Sequence, residues 1–153
     1  MTWNKPSDVD FSSPEILALG LLGEFPPKEW LSESDGCSSP FLKHWLDERA
    51  MPAWLIHDWA YKKIRELKAL RKKLKISLRV QISPYAYASA KARMKALKAE
   101  TKILRIEADA YMKHNIKACM GHTPLAWLVS RRITGAVRRW GIFATRPKEN
   151  TSG

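Results

Sequence analysis

Apolar residues recur at steps of three and four from Ile56 through Ala60, Ile64, Leu67, Leu70 and Leu74 to Leu78, which marks one face of a helix. Lysines and arginines fill most of the opposite face, and the pattern predicts a helix from Pro52 to about Ile82. Ser83-Pro84 interrupts it. A second stripe of Met94, Leu97, Thr101, Leu104, Ala108 and Tyr111 predicts a helix from about Tyr85 to Met120, with Gly121 as its stop. Thr123-Pro124 supplies an N-cap with proline in the first turn, opening a third helix to about Trp140. No run alternates strictly enough to support a sheet. The expected fold is mainly α: a long antiparallel helical hairpin with a shorter C-terminal helix packed on it.

The first third is punctuated differently. Ser12-Ser13-Pro14-Glu15 is a helix start, with Gly23 as the expected end, and Pro26-Pro27 breaks the chain. Asp35-Gly36 marks a turn, and Ser39-Pro40 opens a further helix to about Glu48. At most short strands, near Trp30 or Cys37, are expected here. Residues 1–145 are expected to form one domain: an acidic irregular part over 1–50, the basic hairpin over 52–120 and the packed helix over 123–141. Residues 146–153 are expected to be a loose polar tail.

Charge sharpens this picture. The 153 residues carry a formal net charge of +12, which points to an acidic partner. The excess is local. Residues 1–50 hold nine acids and four bases, whereas 62–105 hold 15 bases and only two acids, Glu66 and Glu100. With i,i+4 acids nearly absent, the arm is too one-sided for a neutral solvated face. Lys68, Arg71, Lys72, Lys75 and Arg79 on the first leg, and Lys91, Arg93, Lys95 and Lys98 on the second, are the candidate partner-binding residues. DNA, an acidic surface of another protein, an anionic membrane surface, or the acidic third of a second copy in a homo-oligomer would each fit. The first twenty residues hold acids and prolines in place of a basic start and an apolar core, so no secretory signal is expected. No apolar run is long enough for a transmembrane helix.

One constellation bears chemistry. His57, in Ile56-His57-Asp58-Trp59-Ala60-Tyr61, shares the apolar face with Ala60, Tyr61 and Ile64. The midpoint of positions 57 and 109 is 83, where the chain is expected to reverse. Folding back there brings His57 level with Asp109. An aspartate that orients an imidazole makes it a competent general base. The plainer alternatives are a satisfied core histidine, with Asp109 paired to Arg105 and Asp58 to Lys62 at i,i+4 spacing. A Cys37–His57–Asp109 triad is a further arrangement to test. Two cysteines without a secretory signal suggest reduced thiols. His44, His57, His114 and His122 show no pair at ligand spacing.

His-Asp-x-x-Tyr at 57–61, followed by Ala108-Asp109, resembles the dyad of calcium-dependent secreted phospholipase A enzymes and their parvoviral relatives. That resemblance implies His57 as a base held by Asp109, with Tyr61 supporting the Asp109 network and Asp58 binding Ca2+. In place of the Gly-rich calcium loop of those enzymes the chain has Asp35-Gly36, and their disulfide framework has no counterpart. A closer resemblance rests on four ordered motifs: Asp35-Gly36-Cys37-Ser38-Ser39-Pro40, His57-Asp58-Trp59-Ala60-Tyr61, Glu107-Ala108-Asp109, and a final helix bearing Trp and Arg. This pattern is similar to that of a small family of phage and prophage proteins. It implies a viral setting, in the virion or the host cytoplasm, and a shared site of Asp35, Ser38, His57, Asp58, Tyr61 and Asp109. Alanine is usual at the Cys37 position in that family, which argues against a nucleophilic role. Where that family usually has a short link between the two helices, this chain has the long basic window, which looks like an extension of both helices.

The last helix spaces Arg131 and Arg138, and Arg132 and Arg139, by seven residues, with Leu125, Leu128, Val129, Ala136, Val137 and Trp140 as its apolar surface. It is expected to pack on the hairpin, although an interfacial membrane helix has the same pattern. Two functions follow. One is a virion-associated or assembly protein whose arm binds DNA or an acidic protein, with a buried His–Asp pair. The other is a phospholipase-type hydrolase, with Asp58 and Asp35 as metal ligands and His57, Asp109 and Tyr61 as its catalytic set.

Overall fold

The computed structural model describes residues 3–34, 48–80, 83–121 and 123–144, with side chains of the last helix described as far as Ala136. The expectations at Asp35, Cys37, Ser38, the Ser39-Pro40 helix, His44, His122 and the 146–153 tail lie outside these residues. Five α-helices occur among the described residues: α1 (Pro14–Leu17), α2 (Lys28–Glu33), α3 (Met51–Ser77), α4 (Pro84–Met120) and α5 (Pro124–Ala144). No strand is present among them. The fold is mainly α, as the periodicity predicts.

Helices α3 and α4 form the hairpin. With 27 and 37 residues they extend about 40 and 55 Å at 1.5 Å per residue. The reversal is built from local signals. Helix α3 ends at Ser77, short of the expected Ile82, and a 3₁₀ turn at Leu78–Val80 follows. Ser83 then caps α4 by accepting a hydrogen bond from the Ala86 amide, with Pro84 at the first position. At the far end Gly121 takes φ +75°, a conformation natural to glycine. Thr123 Oγ1 accepts from the Ala126 amide at 3.1 Å and starts α5.

Two apolar clusters hold the base of the hairpin. The first joins Trp54, Tyr61 and Ile64 of α3 to Met112 and Ile116 of α4 and Ile133 of α5. The second packs Leu55 and Ile56 of α3 against Val9, Phe11, Ile16 and Leu31 of the N-terminal segment. The start of α3 is therefore enclosed by α4 and α5 on one side and by the first thirty residues on the other. Every residue from Pro52 to His57 is buried.

The N-terminal segment departs from expectation at two places. Ser13 caps α1 as predicted, but the helix stops at Leu17 and the chain turns through Gly20 and Gly23, both at positive φ. Trp30 lies in α2, not in a strand. Asn115 explains how this segment is held. Its fully buried amide donates to the Leu22 carbonyl and accepts from the Leu22 amide, both at 2.8 Å. That pairing satisfies both backbone groups of Leu22.

Helix α5 packs on the hairpin through Ala126, Ser130, Ile133 and Thr134, which are buried. Of the expected apolar positions, Val129 is half-buried against the first cluster and Ala136 is half-buried, whereas Leu125 and Leu128 are exposed, as is Trp127. Two of the buried positions are Ser130 and Thr134. Their hydroxyls are satisfied within the helix: Ser130 donates to the Trp127 carbonyl and Thr134 to the Ser130 carbonyl. On the wet side the Arg131 guanidinium lies 4.8 Å from the Trp127 ring centre.

Candidate functional site

His57 and Asp109 meet at the base of the hairpin because two uninterrupted helices of equal rise bring positions 57 and 109 level. The His57 Nε2–H points to Asp109 Oδ1 at 3.5 Å, a long contact. The Tyr61 hydroxyl donates to the same Oδ1 at 2.8 Å, a strong one. Tyr61 lies one turn beyond His57 on α3, and their rings tilt against each other with centres 4.2 Å apart. His57 and Asp109 are each only 5 % exposed. No ion pair joins Asp109 to Arg105, and Lys62 pairs with Glu66 at 3.0 Å.

The other imidazole nitrogen is the unusual feature. His57 Nδ1 is buried and makes no hydrogen bond. Asp58 Oδ1 lies 3.7 Å away, beyond hydrogen-bond reach, so the carboxylate acts on the ring through its charge. Burial pushes the imidazole towards its neutral form, but Asp109 and Asp58 together outweigh burial, and the His57 pKa is raised above 6.5. Burial, with the Asp109 charge beside it, also raises the Tyr61 phenol well beyond its ordinary range, so Tyr61 stays a donor.

A cleft of about 180 Å³ opens beside His57, between α3, α4 and the Gly23–Glu24 stretch. Ile56, Ala60, Leu104, Ala108 and Met112 line it with apolar surface, and Glu24, Lys63 and Glu107 bring charge to it. Gly23 fits only because it lacks a side chain: a Cβ there would stand 2.8 Å from Ile56 Cγ2. Glu24 accepts from Trp59 Nε1 at 3.2 Å and pairs with Lys63. These contacts hold its carboxylate below the ordinary range.

Glu24, Lys63 and Asn115 were not singled out by the sequence. Their partners lie 39 and 93 positions away through irregular chain, where no period connects them.

Calcium is poorly served by the described donors. No three His, Cys, Asp or Glu side chains among the described residues converge on one point. Asp58 faces the imidazole, and Asp35 lies outside the described residues. Cys119 is half-buried against the first apolar cluster, and burial pushes its thiol up to about 11, which makes it a packing residue and not a nucleophile.

The candidate partner-binding residues are spread over the outer surface of both legs. Lys72, Lys75, Arg79, Lys91, Arg93, Lys95 and Lys98 are exposed, and Lys68 and Arg71 are half-buried. The Lys68 ammonium is depressed by partial burial and by the nearby Arg105 and Arg71 cations, so positive charge is concentrated across the two legs. No helix among the described residues is long and apolar enough to cross a membrane. Comparison with protein-family models, with curated proteins and with solved structures finds no match.

Proposed function

We propose that this is a phage-encoded protein of the virion, or of its assembly, whose basic helical arm docks it on an anionic partner. DNA, an acidic protein surface and an anionic membrane are the partners that the charge admits. One observation carries the reading: the bases stand on the exposed outer part of the hairpin, while the base of the hairpin is packed on both sides. A rigid base and a projecting cationic arm suit docking, because the arm meets a polyanion without disturbing the core. In this reading His57, Asp109 and Tyr61 form a buried polar tie that sets the register of the two legs. The viral setting rests on the ordered motifs alone.

The test is binding at low salt to duplex DNA, to anionic vesicles and to polyglutamate. Reversing Lys68, Lys72, Lys73 and Lys75 to Glu should abolish retention, and wild-type binding should weaken steeply as salt rises. Retention of the wild type by none of the three sinks the reading.

A second reading, lipid ester hydrolysis, is favoured by a different observation. The imidazole is held by Asp109 through one nitrogen, and the other is left without a hydrogen bond. That is the arrangement of a base awaiting a proton from water, although Nδ1 has no solvent contact in this state. Ester release from mixed lipid vesicles, with and without calcium, should be lost in His57→Ala if the site is catalytic. A folded wild type with no release removes this reading and leaves the first untouched.

A further inference from the structure

Charge alone does not choose between DNA, acidic protein and lipid. The tip of the arm is more selective. Between Glu66 and Glu100 no acid occurs, and ten bases do. At the reversal this basic stretch carries apolar side chains that face water: Ile76 is 56 % exposed, Val80 77 % and Tyr85 85 %. Tyr87, two residues further along α4, is also exposed, at 45 %. Ile76 lies in the last turn of α3, Val80 ends the 3₁₀ segment, and Tyr85 and Tyr87 lie in the first turn of α4. Lys72, Lys73, Lys75 and Arg79 stand just behind them, all exposed.

We propose that this tip docks on an anionic lipid bilayer, with Ile76, Val80, Tyr85 and Tyr87 entering the headgroup region and the surrounding cations binding lipid phosphates. The inference rests on the arm being the docking element, and it names the partner. Three features of the tip agree on lipid. Aliphatic side chains gain by leaving water for the acyl boundary. Tyrosine suits the interface, since its ring is apolar and its hydroxyl polar. Lysine and arginine stems can lie along the apolar layer while their charges stay at the phosphates. Duplex DNA would satisfy the bases but leave Ile76 and Val80 without an apolar partner. An acidic protein surface would match the tip only where it also exposes an apolar patch beside its acids.

The deciding experiment measures co-sedimentation with vesicles of phosphatidylcholine and phosphatidylglycerol, against phosphatidylcholine alone, with duplex DNA retention measured in parallel. The full chain is compared with Ile76→Ser/Val80→Ser/Tyr85→Ser, in which only exposed side chains change. Helix content by circular dichroism confirms that this variant folds. The wild type should bind the anionic vesicles and not the neutral ones. The triple variant should lose about tenfold or more in vesicle affinity and keep the wild-type retention on DNA. Equal vesicle affinity of the two chains overturns the lipid assignment. So does a wild type that retains DNA and ignores vesicles, which makes nucleic acid the partner and leaves the docking function standing. Failure of the four-residue charge reversal to weaken any binding overturns the docking function itself.

Discussion

From Pro52 to Ile64, helix α3 buries eight side chains between two apolar clusters; from Arg65 to Ser77 it buries none. Helix α4 mirrors this. Its buried residues run from Leu97 to Met120, and the stretch from Pro84 to Ala96 contributes none. One hairpin thus contains two kinds of helix. At the base, tertiary packing decides the structure. In the arm, Ala, Leu, Lys and Arg, all strong helix formers, carry it along a single seam. Like charges along the arm oppose that propensity at low salt. The difference follows from layering: α5 and the N-terminal segment cover the base, and among the described residues neither provides a buried layer along the outer legs. The buried polar chemistry is confined to the half where water is excluded, and the net charge to the half where it is not.

Truncating one apolar residue in each half probes this contrast most strongly. Met112 is 1 % exposed at the centre of the first cluster. Met112→Ala should cost about 2–5 kcal/mol in urea denaturation, through lost transfer energy and the cavity left behind. Leu74, half-buried on the arm, should lose well under half of that on truncation to Ala. Comparable losses at both positions would mean that the arm is packed as tightly as the base.

The bond between Asn115 and Leu22 tests how the base is closed on its second side. Asn115→Ala removes both hydrogen bonds, each worth about 0.5–1.5 kcal/mol, so about 1–3 kcal/mol should be lost. Amide exchange should then rise first around Leu22 and Gly23, and not at the hairpin tip. Faster exchange confined to the tip would show that this pairing does not hold the N-terminal segment.

Most of the hairpin was legible because a helix has a period. The stripes from Ile56 to Leu78 and from Met94 to Tyr111, with a proline-marked reversal at 83–84, were enough to bring His57 level with Asp109 and to put Tyr61 on the same face. The period does not say how far a stripe is covered. Leu70, Leu74 and Leu78 continue the pattern but run past the last covering layer, and Leu70 is exposed. On α5 the period placed Val129 against the core, but Leu125 and Leu128 face water while Ala126, Ser130, Ile133 and Thr134 are buried. The Asn115–Leu22 and Glu24–Lys63 contacts join irregular chain to helix, where sequence spacing holds no geometric information. The unpaired Nδ1 of His57 was likewise unreadable, since it depends on a distance of 3.7 Å to Asp58.

The smallest expected effect concerns the protonation of His57, and it separates the two halves by pH. The folded-state pKa of His57 is raised, because the two carboxylates outweigh burial. A raised pKa means that the folded state binds the proton more tightly than the unfolded state does. The stabilisation is therefore complete below about pH 6.5, the ordinary histidine value, and is lost as pH rises through the folded-state pKa. One group can change stability by at most about 1.4 kcal/mol per pH unit. In denaturant titrations between the acid and neutral ranges, wild-type stability should fall with rising pH more steeply than that of His57→Gln, which carries no titrating proton there. Substitutions at the tip, such as Tyr85→Ser, should leave the slope unchanged, since no tip residue touches the imidazole. Equal slopes for wild type and His57→Gln would mean that the imidazole stays neutral, with the burial penalty exceeding the pull of Asp109 and Asp58. The buried tie would then be a neutral hydrogen bond to Asp109, and the contrast between a charged arm and an apolar base would be sharper still.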